Sequence, residues 1–119
     1  MLLNLSNHPS PIWPSEQQQA AEQQFDAGIV DLPFPQIAPD AEEQAIEQLA
    51  EQYHQQIMNM QPLPAAVHLM GEMTFTFALV KRLQAAGICC VASTTARDVV
   101  EESGVKVSKF RFVRFREYS

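Results

Sequence analysis

Not one Lys or Arg occurs in the first 80 residues of this 119-residue chain, against ten Asp and Glu. All eight basic residues fall after position 80, beside four acids, so that segment carries +4 within a total of −6. A net-acidic chain is a poor general DNA or RNA binder, because phosphate-backbone affinity depends on accumulated positive charge. The basic segment still leaves room for a small anionic ligand. No apolar stretch approaches the ~20 residues that cross a bilayer, and no basic region followed by a long apolar one opens the sequence, so the expectation is a cytoplasmic protein without a membrane partner. The two cysteines, Cys89 and Cys90, are adjacent inside an apolar run, which provides neither a disulfide frame nor a CxxC redox pair. They read as small hydrophobes on opposite faces of a strand. No two histidines have metal-ligand spacing, and the dinucleotide glycine fingerprint and the Walker phosphate loop are absent, so no metal and no cofactor is expected. No internal repeat or low-complexity linker interrupts the chain, and its length suits one core, so residues 1–119 read as a single domain.

The apolar pattern alternates between strand-like and helix-like segments. Leu2, Leu3 and Leu5 mark a first strand over Met1 to Asn7, ending at Ser6, Asn7, His8 and Pro9. Ser15 is positioned to cap a helix running to Phe25, with Gln18 at the capping-box position. Ile29 to Phe34 reads as a second strand, closed by prolines. Asp40 then opens a long helix in which Ala45, Ile46, Leu49, Tyr53, Ile57 and Met60 share one face. Ala65 to Gly71 is a third strand and Thr74 to Ala86 a helix, with Gly87 as its C-cap. Ile88 to Ala92 is a fourth, fully covered strand that opens into a loop, Ser93 to Arg97. Val105 to Tyr118 alternates as an edge strand, with a shift of face near Val113. This order predicts an α/β fold: a Rossmann-like open, mostly parallel sheet with helices on both faces and a C-terminal edge strand. In such sheets ligands bind outside the carboxyl ends of the strands.

Three polar segments would meet there. In the first, Ser6, Asn7, His8 and Pro9, the imidazole is the candidate general acid or base; the alternative is a solvent-exposed His8 beside residues that merely cap the turn. In the second, Gly71, Glu72, Met73 and Thr74, helix-start amides with the Thr74 and Thr76 hydroxyls offer a phosphate or ribose cradle, while Glu72 either holds a ribose or caps the helix. In the third, Ser93, Thr94, Thr95 and Arg97 combine hydroxyls with a guanidinium suited to phosphate, against the plain reading of Arg97 as a surface residue. His54 and His68 read as satisfied or exposed side chains.

The phrases Asn4-Leu5-Ser6-Asn7-His8-Pro9, Ile29-Val30-Asp31-Leu32-Pro33-Phe34-Pro35, His68-Leu69-Met70-Gly71-Glu72-Met73-Thr74-Phe75, Ala92-Ser93-Thr94-Thr95-Ala96-Arg97 and Phe112-Val113-Arg114-Phe115-Arg116-Glu117-Tyr118 together resemble a family of small CRISPR-associated proteins with a minimal CARF-like domain. The resemblance spans nearly the whole chain. It implies a role in type III CRISPR antiviral defence: binding the messenger cyclic tetra-adenylate, and in ring nucleases of this kind linearising it without metal, a ribose 2′-hydroxyl attacking its own 3′-phosphate to leave a 2′,3′-cyclic phosphate. On that reading Thr94, Thr95, Arg97 and the amides after Gly71 hold phosphates, Asn7 or Glu72 fixes a ribose, and His8 moves a proton. His8, Asn7 and Arg97 then form the expected catalytic set, and Ser6, Pro9, Gly71, Glu72, Met73, Thr74, Thr76, Ser93, Thr94 and Thr95 complete the ligand contacts. CARF-type ring nucleases often place a lysine near the scissile phosphate, and none of the three segments contains one. The near two-fold symmetry of the ligand points to a homodimer or higher oligomer.

Two other functions compete with cleavage. One is a non-catalytic binder that sequesters the same messenger. The other is an adaptor that docks a partner by strand addition along Phe110 to Tyr118.

Overall fold

The computed structural model describes residues 1–119, which form an α/β fold with a five-stranded, mostly parallel sheet and three helices. The strands β1 (Leu2–Ser6), β2 (Ile29–Asp31), β3 (Ala66–Met70), β4 (Cys89–Glu102) and β5 (Val105–Glu117) lie in the order β2-β1-β3-β4-β5. The first four run parallel, and β5 returns antiparallel along β4. The helices are α1 (Ser15–Gln24), α2 (Glu43–Met58) and α3 (Met73–Ala85). No helix is long and apolar enough to cross a membrane.

All five β1 residues are buried because the strand is covered on both faces. Leu3, Leu5, Val67 and Leu69 face α2 and α3, where Ile46, Ala50, Ile57, Phe75, Leu79 and Leu83 complete the larger core. The alternate residues face α1: Leu2, Ala66 and Val91 pack with Trp13, Ala21, Phe112 and Phe115. Cys90 belongs to the first core and Cys89 lies beside the second, as a strand's alternation requires. Arg82 ties α3 to α2 through Glu47 and Glu51, a half-exposed contact worth little in stability.

Several expected boundaries are corrected. Neither Ser15 nor Asp40 caps a helix: α1 follows Pro14 and α2 follows Glu42, neither with a side-chain cap. Gln18 instead reaches back to the Ser10 carbonyl at 2.9 Å. β2 stops at Asp31, before its prolines.

The largest correction concerns β4, which does not open into a loop at Ser93 but runs on to Glu102. Its β-branched Thr94, Thr95, Val99 and Val100 suit a pleated strand. The chain reverses at Ser103 and Gly104, both at positive φ (53° and 79°), the two-residue geometry that matches strand twist. The resulting hairpin projects beyond the body, so the molecule measures 51 × 38 × 25 Å with a radius of gyration of 16.0 Å, against about 13 to 14 Å for a compact chain of this length. The expected shift of face is present: Thr94 pairs with Arg114 and Thr95 with Phe112, leaving Val113 as the extra residue. That bulge puts Phe112 and Phe115 on the same, buried face.

Candidate functional site

The direction of strand addition reverses between β1 and β3, so a crevice opens there at the carboxyl ends of the parallel strands. At its floor the register sets Asn4 beside His68, both 2% exposed. Polar groups in so dry a position need partners. The Asn4 amide nitrogen donates to Asp31 Oδ1 at 2.8 Å and to the His8 carbonyl at 2.9 Å. Both of those groups only accept, so the Asn4 orientation is fixed. Its Oδ1 must therefore accept, from Ser6 Oγ at 2.8 Å and from His68 Nδ1 at 2.9 Å. That places the imidazole proton on Nδ1 and leaves Nε2 a bare acceptor. His68 Nε2 is buried without a partner, a state that costs about 1–3 kcal/mol in a protein interior.

Burial, with a smaller contribution from His8, pushes the His68 pKa down from 6.5 to about 4. The ring is thus neutral at neutral pH. Burial acts to raise the Asp31 pKa, but hydrogen bonds from Asn4 and Ser10 prevail and hold it below the usual value.

Above this network lies a cavity of about 300 Å³ on the α1 side of the sheet, walled by Trp13, Met70 and Phe112, with Gln17, His68, Ser93 and Thr95 as its polar groups. His8 stands at its rim, its imidazole bonded to nothing, while its carbonyl accepts from Trp13 Nε1 at 2.8 Å and so locks the indole in the wall. Ser93 Oγ lies 3.2 Å from Met70 Sδ. Arg97 shares this face of β4, two residues past Thr95, about 7 Å further along the strand. It is exposed, and its guanidinium holds Ser108 Oγ at 3.0 and 3.1 Å. Thr94 points to the opposite face and donates to the Arg114 carbonyl at 3.1 Å.

The expected residues thus divide into three places. His8, Ser93 and Thr95 meet in the α1-side groove, with Arg97 beyond its end. Ser6, Asn7 and Pro9 line a second cavity of about 300 Å³ with Asp31 and Phe34, Ser6 being bonded to Asn4. Gly71, Met73 and Thr76 belong to a third cavity of about 270 Å³ on the other side of the sheet.

At the start of α3, Glu72 takes the capping role that was the alternative to a ribose contact. Glu72 accepts from the amides of Thr74 and Phe75, each at 2.9 Å, and both of its carboxylate oxygens accept from Thr74 Oγ1, at 2.7 and 2.8 Å. These bonds, led by Phe75 N–H, lower the Glu72 pKa and occupy the donors a phosphate would use. A Cβ on Gly71 would stand 2.3 Å from the Phe34 ring, so its missing side chain makes room for Phe34.

Burial pushes the Cys89 and Cys90 thiols up to about 11 and about 12, which keeps them protonated and poorly nucleophilic. No group of three His, Cys, Asp or Glu is placed to hold a metal ion.

Residues 1–116 match the profile described as "Uncharacterized protein MJ1673 family". The chain belongs to the MJ1673 family. No curated protein and no solved structure matches it. Within this MJ1673-family chain, Asn4, Asp31, Trp13 and His68 are the site residues that sequence reasoning missed. The available signal was a polar residue at the centre of each of two apolar strands, Leu2-Leu3-Asn4-Leu5 and Ala66-Val67-His68-Leu69.

Proposed function

We propose that this protein binds cyclic tetra-adenylate in the α1-side groove of a Rossmann-like, CARF-like fold and lowers the free level of that messenger in type III CRISPR defence. The resemblance of five sequence phrases supplies the ligand. The observation that carries the reading is the groove itself, at the carboxyl ends of β1 and β3 and against the middle of β4. It combines an aromatic wall, a buried ring acceptor and the Ser93 and Thr95 hydroxyls on one surface. Aromatic faces stack bases of any sequence, and hydroxyls suit phosphate and ribose oxygens.

Cleavage in this site would draw on the substrate's own 2′-hydroxyl, with His8 at the rim as the proton-transfer group and with Asn7 and Arg97 as further catalytic candidates. A second reading, sequestration without cleavage, is favoured by one specific observation. Arg97, the guanidinium expected to stabilise phosphate charge, is held by Ser108. A two-fold ligand suits two copies of the chain with their grooves facing.

Incubation of pure protein with labelled cyclic tetra-adenylate in chelator, followed by native gel and product chromatography, tests both readings. A retarded band with linear product means a ring nuclease, and a retarded band alone means sequestration. Free ligand at protein concentrations well above micromolar rejects the proposal.

A further inference from the structure

We infer that His68 selects the ring that occupies the groove, by accepting a hydrogen bond from an N–H on a planar, amino-bearing base. The inference rests on the groove being the binding site, and it names the group on the ligand that the site reads. The chain of bonds from Asp31 through Asn4 to His68 Nδ1 leaves Nε2 with a lone pair and no proton. That nitrogen is buried, unpartnered and part of a residue lining the cavity. A buried acceptor is matched by a donor and penalises another acceptor brought against it. An exocyclic amino group satisfies it, whereas a ring carbonyl at the same place does not.

The surroundings fit a flat ring. Trp13 crosses His68 edge-on with centroids 5.1 Å apart, and Phe115 closes the other side at 5.6 Å, so the imidazole cannot swing away to find water. Trp13 and Phe112 give the groove apolar walls, and the cavity of about 300 Å³ has room for one base. Gln17 is 7% exposed and lines the same cavity, which puts a second polar side chain within the groove. Asp31, 27 positions along the chain from Asn4, thereby sets base choice without touching the ligand: it holds the amide that holds the tautomer.

The test compares cyclic tetra-adenylate with the analogue whose rings carry hydrogen in place of the 6-amino group, titrated against wild type and His68→Phe. The 15N resonances of His68 are followed in the wild type. The wild type should prefer the amino-bearing ring by about ten- to a hundredfold, with the Nε2 resonance moving upfield on binding. His68→Phe should bind both rings alike. Because the variant fills a core position, the wild-type resonance decides the matter if the variant does not fold. Equal binding of the two rings by wild type overturns the role of His68 but leaves the groove as a binding site, and so does a preference with no change at Nε2. Failure of both rings to bind overturns the groove reading and this inference together.

Discussion

Asn4 and His68 stand opposite one another across the β1–β3 pairing, and the 2.9 Å bond from His68 Nδ1 to Asn4 Oδ1 joins two side chains 64 positions apart. The bond gives the imidazole a single tautomer, and burial gives it a single charge state, with a pKa of about 4 in place of 6.5. A folded chain that refuses a proton its unfolded form accepts loses stability wherever the two differ in protonation.

That difference sets a pH window. Above pH 6.5 His68 is neutral in both states, and its contribution to stability is complete. As the pH falls from there to about 4, the unfolded state takes up the proton first, and stability should drop by ~1.4 kcal/mol per pH unit, about 3 kcal/mol over the window. Urea midpoints for wild type and His68→Gln measure the effect. The slope should be present in the wild type and lost in the variant. Equal slopes would mean that His68 takes up its proton as readily folded as unfolded.

Gly71 and Phe34 yield a second test, because a Cβ at position 71 meets the Phe34 ring at 2.3 Å while that ring packs edge-on against Phe75 at 5.3 Å. Gly71→Ala should cost about 1–3 kcal/mol through overpacking. The same change in a Phe34→Ala background should cost much less, so a double-mutant cycle should return a clear coupling energy. Additive effects would show that Gly71 serves the backbone, not the ring.

The parallel core was legible because its signals are local. Leu2-Leu3-Asn4-Leu5, Ala66-Val67-His68-Leu69 and Ile88-Cys89-Cys90-Val91 are short apolar runs with turn residues at their ends, and the sheet uses all of them. The bulge was legible for the same reason, since Phe110, Phe112 and Phe115 keep one face only if a residue is skipped. The hairpin was not. A strand over Ser93 to Glu102 depends on pairing with β5, and its threonines and Arg97 read alone as a polar loop; Ser103-Gly104 was the turn signal that would have extended β4. The site was legible only as a region. Which hydroxyls share a face follows from β4 being pleated, so Ser93 and Thr95 separate from Thr94. The Asn4–His68 pair needed the register between two strands, which no local pattern contains.

The projecting hairpin bears on assembly. Val99, Val105, Phe110 and Val113 are 56%, 61%, 70% and 50% exposed on an arm whose β5 strand contains five of the eight basic residues. The helical body is acidic, with Glu42, Glu43, Glu47 and Glu51 in sequence along α2 and its approach. A second copy therefore offers both apolar cover and opposite charge. Light scattering without ligand should report a particle near twice 13.4 kDa, and Val99→Ser combined with Phe110→Ser should shift it toward monomer with unchanged circular dichroism. A wild-type monomer at micromolar concentration would reject constitutive dimerisation.

His8 decides whether the site does chemistry. Its ring is exposed at the groove rim and bonded to nothing, while its carbonyl, through Asn4 and Trp13, is fixed to the body. Replacing the side chain therefore leaves the network intact, and His8→Ala should fold and bind cyclic tetra-adenylate as the wild type does. His68 is no substitute, since a base with a pKa of about 4 accepts protons poorly at neutral pH. If His8 transfers the proton, cleavage in the variant should slow by roughly 10²- to 10⁴-fold at unchanged affinity, measured as single-turnover rate against dissociation constant. Cleavage at the wild-type rate would move the catalytic weight to positioning by Asn7 and Arg97. If the wild type yields no linear product over hours at stoichiometric protein, His8 has no rate to support, and the groove acts by holding the messenger.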